Sequence, residues 1–149
     1  MDEASGRVAV DRVALEWRGT PFHDNACVKG PKGGVDCAHL LKGVYCEAGV
    51  IPDFEIEHYS PQHFQHSGEE KFLGYVTRFA HEIEPDRVQA GDVVLYKIGK
   101  AFAHGAIVIA PGWPNIVHAH YGARLVRRGF GTAVHLGQPI LAIKFFSFW

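Results

Sequence analysis

A cysteine and two histidines are the residues of this sequence whose types and spacing could support catalysis. Cys37 follows two glycines and an aspartate in "KGGVDCAHLL" (32–41), where an apolar helix is predicted to begin. The free N–H groups and the dipole of a helix N-terminus favour a thiolate and could hold an oxyanion. A nucleophilic cysteine also needs a histidine base and a group that orients it. A buried inert thiol and a zinc ligand are the alternatives for the same residue.

Two predicted strands carry the histidines that could serve Cys37. His104 begins "HGAIVIA" (104–110), and His118 lies in "NIVHAHY" (115–121), across the connection "PGWPN". Neighbouring antiparallel strands can place two side chains close together on one face. His104 and His118 are therefore candidates for a base on one strand and an orienting group on its neighbour. His120 is the alternative to His118, because residues two apart in a strand point to the same face.

Helices that could position these residues come first along the chain. Apolar residues at helical spacing predict a helix over 7–18, and a loop rich in glycine, proline and lysine follows at 19–36. A second helix is predicted from Cys37, with Asp36 as its N-cap and Gly49 at its end. A third is expected over roughly 69–80.

The second half of the chain has the pattern of strands. Short β-branched runs separated by glycine or proline predict strands at 92–98, 104–110, 115–121, 123–128 and 139–146. Helices followed by antiparallel strands indicate an α+β fold in which the N-terminal helices pack on an antiparallel sheet. At 149 residues we expect a single domain over 1–149.

Composition and charge exclude several classes of function. The chain is 47% hydrophobic and 21% charged, as in a folded protein, and its net charge of −1 does not favour nucleic acid or an anionic membrane as a partner. No apolar run approaches membrane-spanning length, and the start of the chain lacks a secretory pattern, so we expect synthesis in the cytoplasm. The three cysteines, Cys27, Cys37 and Cys46, are expected to be free thiols.

Four segments in order carry a resemblance to a known family. "GTPF" leads into "GGVDC", and "AGDVVLY", "AHGAIVI" and "IVHA" follow within residues 19–119. This combination resembles the NlpC/P60 family of papain-like cysteine peptidases. The resemblance implies a papain-like fold, with Cys37 as nucleophile, His104 as general base and then acid, and His118 as the residue that orients His104. It also implies an oxyanion site at the backbone of Asp36 and Cys37, with no metal or other cofactor.

The resemblance also implies a substrate and a setting. The expected substrate is a peptidoglycan stem peptide, cut beside D-glutamate and a diamino acid. The loop "GTPFHDNACVKG" is similar to small stand-alone members encoded in phage tail modules and gene-transfer agents, so tail proteins are expected partners and the virion an expected location. Phe22, His23 and His39 are candidate substrate contacts. His39 stands where the family commonly has a small residue.

Two other functions agree with the same residues. The papain-like superfamily also includes amidases and acyltransferases that act on other amides or on lipids. A tail component could instead serve as a non-catalytic assembly or binding module.

Two further patterns have ordinary structural explanations. "HFQH", with His63 and His66, has the spacing of a helical metal pair, but no set of acidic or cysteine ligands accompanies it. Arg124, Arg127 and Arg128 in "RLVRR" could bind a carboxylate, although the solvent side of a strand is the expected place for such a run.

Overall fold

The computed structural model describes residues 1–59 and 70–149. Its helices are α1 (Glu3–Glu16), α2 (Cys37–Glu47) and α3 (Lys71–Thr77), with a short 3₁₀ turn at Pro85–Arg87. Its strands are β1 (Cys27–Val28), β2 (Gly34–Val35), β3 (His81–Ile83), β4 (Val93–Ile98), β5 (Ala101–Val108), β6 (Asn115–His120), β7 (Leu125–Phe130) and β8 (Ala142–Ser147).

Six of the strands form one antiparallel sheet in the order β3-β8-β4-β5-β6-β7, and β1 and β2 form a separate hairpin. Helix α2 packs against β5 and β6, and α1 packs against α2. The α+β class, with helices packed on an antiparallel sheet, is confirmed.

Helix α2 begins and ends where its sequence predicts. Asp36 has extended backbone geometry, and its side chain accepts a hydrogen bond from the His39 N–H, as an N-cap does. Leu40 and Val44 are completely buried one turn apart, so the apolar stripe of the helix faces the core. Gly49 adopts a left-handed φ of 78°, which lets the chain leave the helix. Cys37 is therefore fixed in the first turn of a buried helix.

Helix α1 begins four residues before the predicted start at residue 7. Asp2 caps it by accepting a 2.8 Å hydrogen bond from the Ser5 N–H. The apolar periodicity marks only the buried stripe around Val10 and Val13, so it does not reveal the exposed first turn. Helix α3 falls inside the predicted 69–80. The segment "SPQHFQH", with His63 and His66, lies outside the described residues.

The five predicted strands agree with the structure except at their ends. Strand β5 begins at Ala101, three residues before the predicted start, because Ala101 and Phe102 are buried and pair with β4. Strand β7 begins at Leu125, after Arg124 with a left-handed φ of 64°. Strands β1 and β2, within the predicted loop 19–36, and strand β3 were not predicted, because two or three residues are too few to show alternation. The main consequence is that His104 lies inside a strand instead of at its beginning.

Strands β5 and β6 are paired at the end away from His104. The described pairs are Ile107 with Val117 and Val108 with Ile116. If this register continued along β5, His104 would lie opposite His120. Strand β6 pairs with β7 along its whole length, from Asn115 to His120.

None of the helices within 1–59 and 70–149 has the length and apolar character needed to span a bilayer.

Candidate active site

The sulfur of Cys37 lies against the backbone on either side of His104. Its thiol donates to the Ala103 carbonyl oxygen at 3.7 Å, and the Gly105 N–H is hydrogen-bonded to the sulfur. Cys37 and His104 line the same cavity of about 570 Å³ at the start of α2. The structure therefore brings the predicted nucleophile and the predicted base into one cavity.

His104 and His118 are directly hydrogen-bonded. Nε2 of His104 lies 2.9 Å from Nδ1 of His118, and both side chains are buried. A neutral imidazole carries one N–H, so a proton on Nε2 of His104 leaves its Nδ1 with a free lone pair. We assign this tautomer because it is the one in which His104 can accept the thiol proton while His118 orients it.

His120 makes a different set of contacts. Its Nδ1 accepts a 3.1 Å hydrogen bond from the Ala123 N–H, so its proton is on Nε2, which donates to the His135 carbonyl oxygen at 2.7 Å. Both ring nitrogens are therefore bound to the backbone of two loops, while the ring lines the cavity. The residue that is hydrogen-bonded to His104 is therefore His118, whereas the described hydrogen bonds of His120 go to the backbone of the two loops.

Burial makes the neutral forms of Cys37 and His104 the stable ones. It raises the pKa of the Cys37 thiol, and the Asp36 carboxylate raises it further, whereas the backbone N–H groups of Gly105, Ala38 and Cys37 lower it. Burial, with His118 and His120 nearby, holds the pKa of His104 well below its usual range. The sequence alone favours a thiolate in the resting protein. The structure differs because burial and Asp36 outweigh the N–H groups of the helix.

His118 is also uncharged at neutral pH. Burial lowers its pKa to about 3, and His120 and Arg127 lower it in the same direction. A neutral His118 can accept the His104 N–H, and this hydrogen bond becomes stronger when His104 gains a proton, because the N–H of an imidazolium is a stronger donor.

Asp36 is a centre of hydrogen bonds at the base of the site. One carboxylate oxygen accepts from the N–H and the Nδ1 of His39, both at 2.8 Å. The other accepts from the Asn25 N–H at 2.7 Å and from the Tyr59 hydroxyl. Burial acts to raise the pKa of Asp36, but the hydrogen bonds and charge of His39 and the Tyr59 hydroxyl outweigh it, so that pKa lies below its usual range. Asp36 is therefore an ionised cap.

The three predicted substrate contacts lie in different places. Phe22 lines the cavity, with its ring edge-on to Tyr121 at a centroid distance of 5.4 Å. His23 is exposed, and its Nδ1 donates to the Asp24 carbonyl oxygen at 3.0 Å. His39 is buried and faces Asp36. Only Phe22 among these three is part of the cavity wall that the structure describes.

Sequence reasoning missed Tyr59 and Asn25. Tyr59 lines the cavity and bonds Asp36, and Asn25 bonds the backbone of Tyr59. Tyr59 lies in a segment of the sequence without periodicity, so no local pattern indicated its role. Asn25 had a weak signal, because asparagine is one of the few residues that adopts a left-handed φ, here 59°.

The remaining candidates do not line the cavity that holds Cys37 and His104. Cys27 and Cys46 are free thiols, as expected. The three arginines of "RLVRR" are exposed. Within the part of the chain that the structure describes, no three His, Cys, Asp or Glu side chains are grouped so as to hold a metal ion.

Solved structures identify the fold. The P60 domain of an antigen from Mycobacterium avium paratuberculosis superposes with a TM-score of 0.58 at 15% identity, over 95% of this chain and 92% of that one. The chain has the NlpC/P60 fold. The peptidoglycan hydrolase RipB of Mycobacterium tuberculosis has this fold too, with a TM-score of 0.59 and 18% identity over 97% of this chain and 67% of that one.

A third NlpC/P60 structure shows that the fold does not guarantee catalysis. RipD of Mycobacterium tuberculosis is described as a non-catalytic domain adapted to peptidoglycan binding, and it matches with a TM-score of 0.57 at 15% identity, over 93% of this chain and 95% of that one. No family model matches the chain, and no curated protein matches its sequence. The activity must therefore be argued from the site itself.

Proposed function

We propose that this NlpC/P60-fold protein is a cysteine peptidase that hydrolyses an amide bond in peptidoglycan stem peptides. The observation that carries the proposal is the hydrogen bond from His104 to His118, made beside a cysteine whose sulfur contacts both backbone neighbours of His104. Structures with this fold include a peptidoglycan hydrolase and a peptidoglycan-binding domain, which supports a cell-wall peptide as ligand.

The first half of the reaction forms a thioester. Cys37 transfers its proton to Nδ1 of His104 as its sulfur attacks the peptide carbonyl carbon. The backbone N–H groups of Asp36 and Cys37, where α2 begins, would receive the oxyanion. His104 then gives the proton to the departing amine as the C–N bond breaks.

The second half restores the enzyme. His104 takes a proton from water, whose oxygen attacks the thioester carbon. The C–S bond breaks and the sulfur regains the proton as a thiol. Throughout the cycle His118 accepts the Nε2–H of His104, so that the imidazolium form is stabilised and its ring stays oriented.

The finer specificity that we propose is hydrolysis between γ-D-glutamate and a diamino acid. The test is incubation of a synthetic L-Ala-γ-D-Glu-diaminopimelate peptide with the wild-type protein in ¹⁸O-labelled water, with products identified by mass spectrometry. Hydrolysis places one ¹⁸O in the new carboxylate, and Cys37→Ala and His104→Ala should abolish it. An intact peptide that nevertheless binds to the wild-type protein would refute hydrolysis and indicate a binding domain.

The same experiment separates hydrolysis from acyl transfer. A protein that consumes the peptide only when an added amine or alcohol is present, and then yields the conjugate without ¹⁸O, is an acyltransferase. The tail-associated setting stays a prediction from the loop "GTPFHDNACVKG" and is tested by proteomics of purified particles from the source cells.

A further inference from the structure

Tyr59 brings a distant segment of the chain to the N-terminus of α2. Its hydroxyl donates to Asp36, and its ring lies nearly parallel to that of His39 at a centroid distance of 6.3 Å. Tyr59 is only 9% exposed and lines the cavity of Cys37. One side chain thus contacts the residue before the nucleophile and the residue two places after it.

Asn25 fixes the position of this tyrosine. Its side-chain amide donates to the Tyr59 carbonyl oxygen at 2.8 Å and accepts from the Tyr59 N–H at 3.1 Å. Its own backbone N–H donates to the same Asp36 oxygen that receives the Tyr59 hydroxyl. The energetic cost of the left-handed φ at Asn25 is thus offset by three hydrogen bonds. Together these bonds hold the Tyr59 hydroxyl over Asp36.

Asp36 places a buried negative charge next to a thiol that must lose a proton. Its side chain is 1% exposed, so little water screens this charge. Each N–H or O–H that donates a hydrogen bond to the carboxylate brings a partial positive charge close to it. Each such donor therefore weakens the electrostatic effect by which Asp36 raises the pKa of Cys37. Asn25 and His39 supply three of the described donors, and Tyr59 supplies the fourth.

We propose that Tyr59 is a positioning residue for the nucleophile, whose hydroxyl offsets the charge of Asp36 and so sets how readily Cys37 releases its proton. This deepens the proposed function and rests on Cys37 being the nucleophile. The substitution Tyr59→Phe removes one oxygen and leaves the other titratable groups around the cavity in place. Those groups are Asp24 and Asp36 in the loop before α2, His39 on α2, His104 on β5, His118 and His120 on β6, Tyr121 directly after β6, and His135 after β7.

The test is the pH dependence of Cys37 alkylation, followed by peptide mass spectrometry in the full chain. Iodoacetamide labelling from about pH 6 to about pH 11 is compared in the wild type and Tyr59→Phe, with Cys27 and Cys46 as internal references. The matched control is Tyr45→Phe, since Tyr45 is also buried and its hydroxyl donates to the Gly91 carbonyl oxygen at 2.7 Å, away from the cavity.

In Tyr59→Phe we expect roughly three- to tenfold slower labelling of Cys37 at each pH below its midpoint, which is a shift of the alkylation profile upward by about half to one pH unit. The Tyr45→Phe profile should superimpose on the wild type. In an Asp36→Asn background, adding Tyr59→Phe should have no further effect, because the charge that the hydroxyl offsets is gone. Equal shifts in Tyr59→Phe and Tyr45→Phe, or a Tyr59→Phe profile that matches the wild type, would overturn the proposal.

A second variant keeps the test decisive if Tyr59→Phe does not fold. Asn25→Gly retains the left-handed backbone and removes the amide that holds Tyr59, so it should shift the Cys37 midpoint in the same direction. A folded Asn25→Gly with an unshifted midpoint would count against the proposal. If the shifts occur but no stem peptide is cleaved, the proposed function fails and the role of Tyr59 stands.

Discussion

Removal of the His118 imidazole should raise the activation free energy of the proposed reaction by about the free energy of one charge-assisted hydrogen bond. In His118→Ala the Nε2–H of His104 loses its 2.9 Å acceptor inside a buried site. A hydrogen bond to a charged group contributes about 1.5–3 kcal/mol, and His104 is charged when the C–N bond breaks. With about 1.4 kcal/mol for each factor of ten, kcat should fall about 10- to 150-fold. KM should change little, because His118 is 2% exposed and does not itself line the cavity.

The measurement is steady-state cleavage of the γ-D-Glu-diaminopimelate peptide by the wild type and three variants. His118→Asn should recover most of the loss, because the amide oxygen of asparagine has the same reach as Nδ1 of histidine. In His120→Ala we expect a higher KM and a nearly unchanged kcat, since His120 holds two loops of the cavity and does not bond His104. The alkylation profile of Cys37 provides a second readout that is independent of substrate.

A folded His120→Ala that loses as much kcat as His118→Ala would refute this reasoning. The same holds if His118→Asn is no better than His118→Ala, because orientation through an acceptor could then not be the role of His118.

Three further predictions concern stability. Arg7→Met should lower the free energy of unfolding, measured in urea, by about 3–5 kcal/mol, because the fully buried side chain of Asp92 loses its ion-pair partner at 2.9 Å. A decrease below about 1 kcal/mol would instead match a surface ion pair and contradict the prediction. Gly105→Ala should cost about 1–3 kcal/mol, measured as a lower Tm, because the added Cβ would lie 2.8 Å from the Phe72 ring; an unchanged Tm would show that the ring moves freely. Because the folded pKa of His118 is about 3, the unfolded chain binds more protons below about pH 6.5, so stability should fall from there towards pH 3. His118→Asn should flatten that slope in urea titrations at several pH values, and an unchanged slope would contradict the lowered pKa.

The sequence predicts what depends on local patterns. Asp36 as N-cap, the start of α2 at Cys37 and the stop at Gly49 follow from helix signals that act within a few residues. The strands with β-branched runs also follow from local alternation. The α+β class is a consequence of these elements in order, and the structure confirms it.

Contacts between distant segments were not predictable in this way. His118 and His120 share a strand face, so periodicity could not separate them, and only the three-dimensional hydrogen bonds do. Tyr59 reaches Asp36 from 23 residues away. The protonation of Cys37 also depends on burial, which no local pattern measures.

The His104–His118 hydrogen bond also links the strands β5 and β6. Backbone pairs join the strands at Ile107–Val117 and Val108–Ile116, and the His104–His118 hydrogen bond joins them at the end where Cys37 lies. The imidazole pair thus acts as a spacer that sets the separation of the strands at this end. The hydrogen bond that supports His104 as a base and the distance between the two strands therefore depend on each other. Widening this end of the site for a bulkier peptide would therefore also require a longer acceptor side chain at position 118. Moving the strands apart alone would break the His104–His118 hydrogen bond.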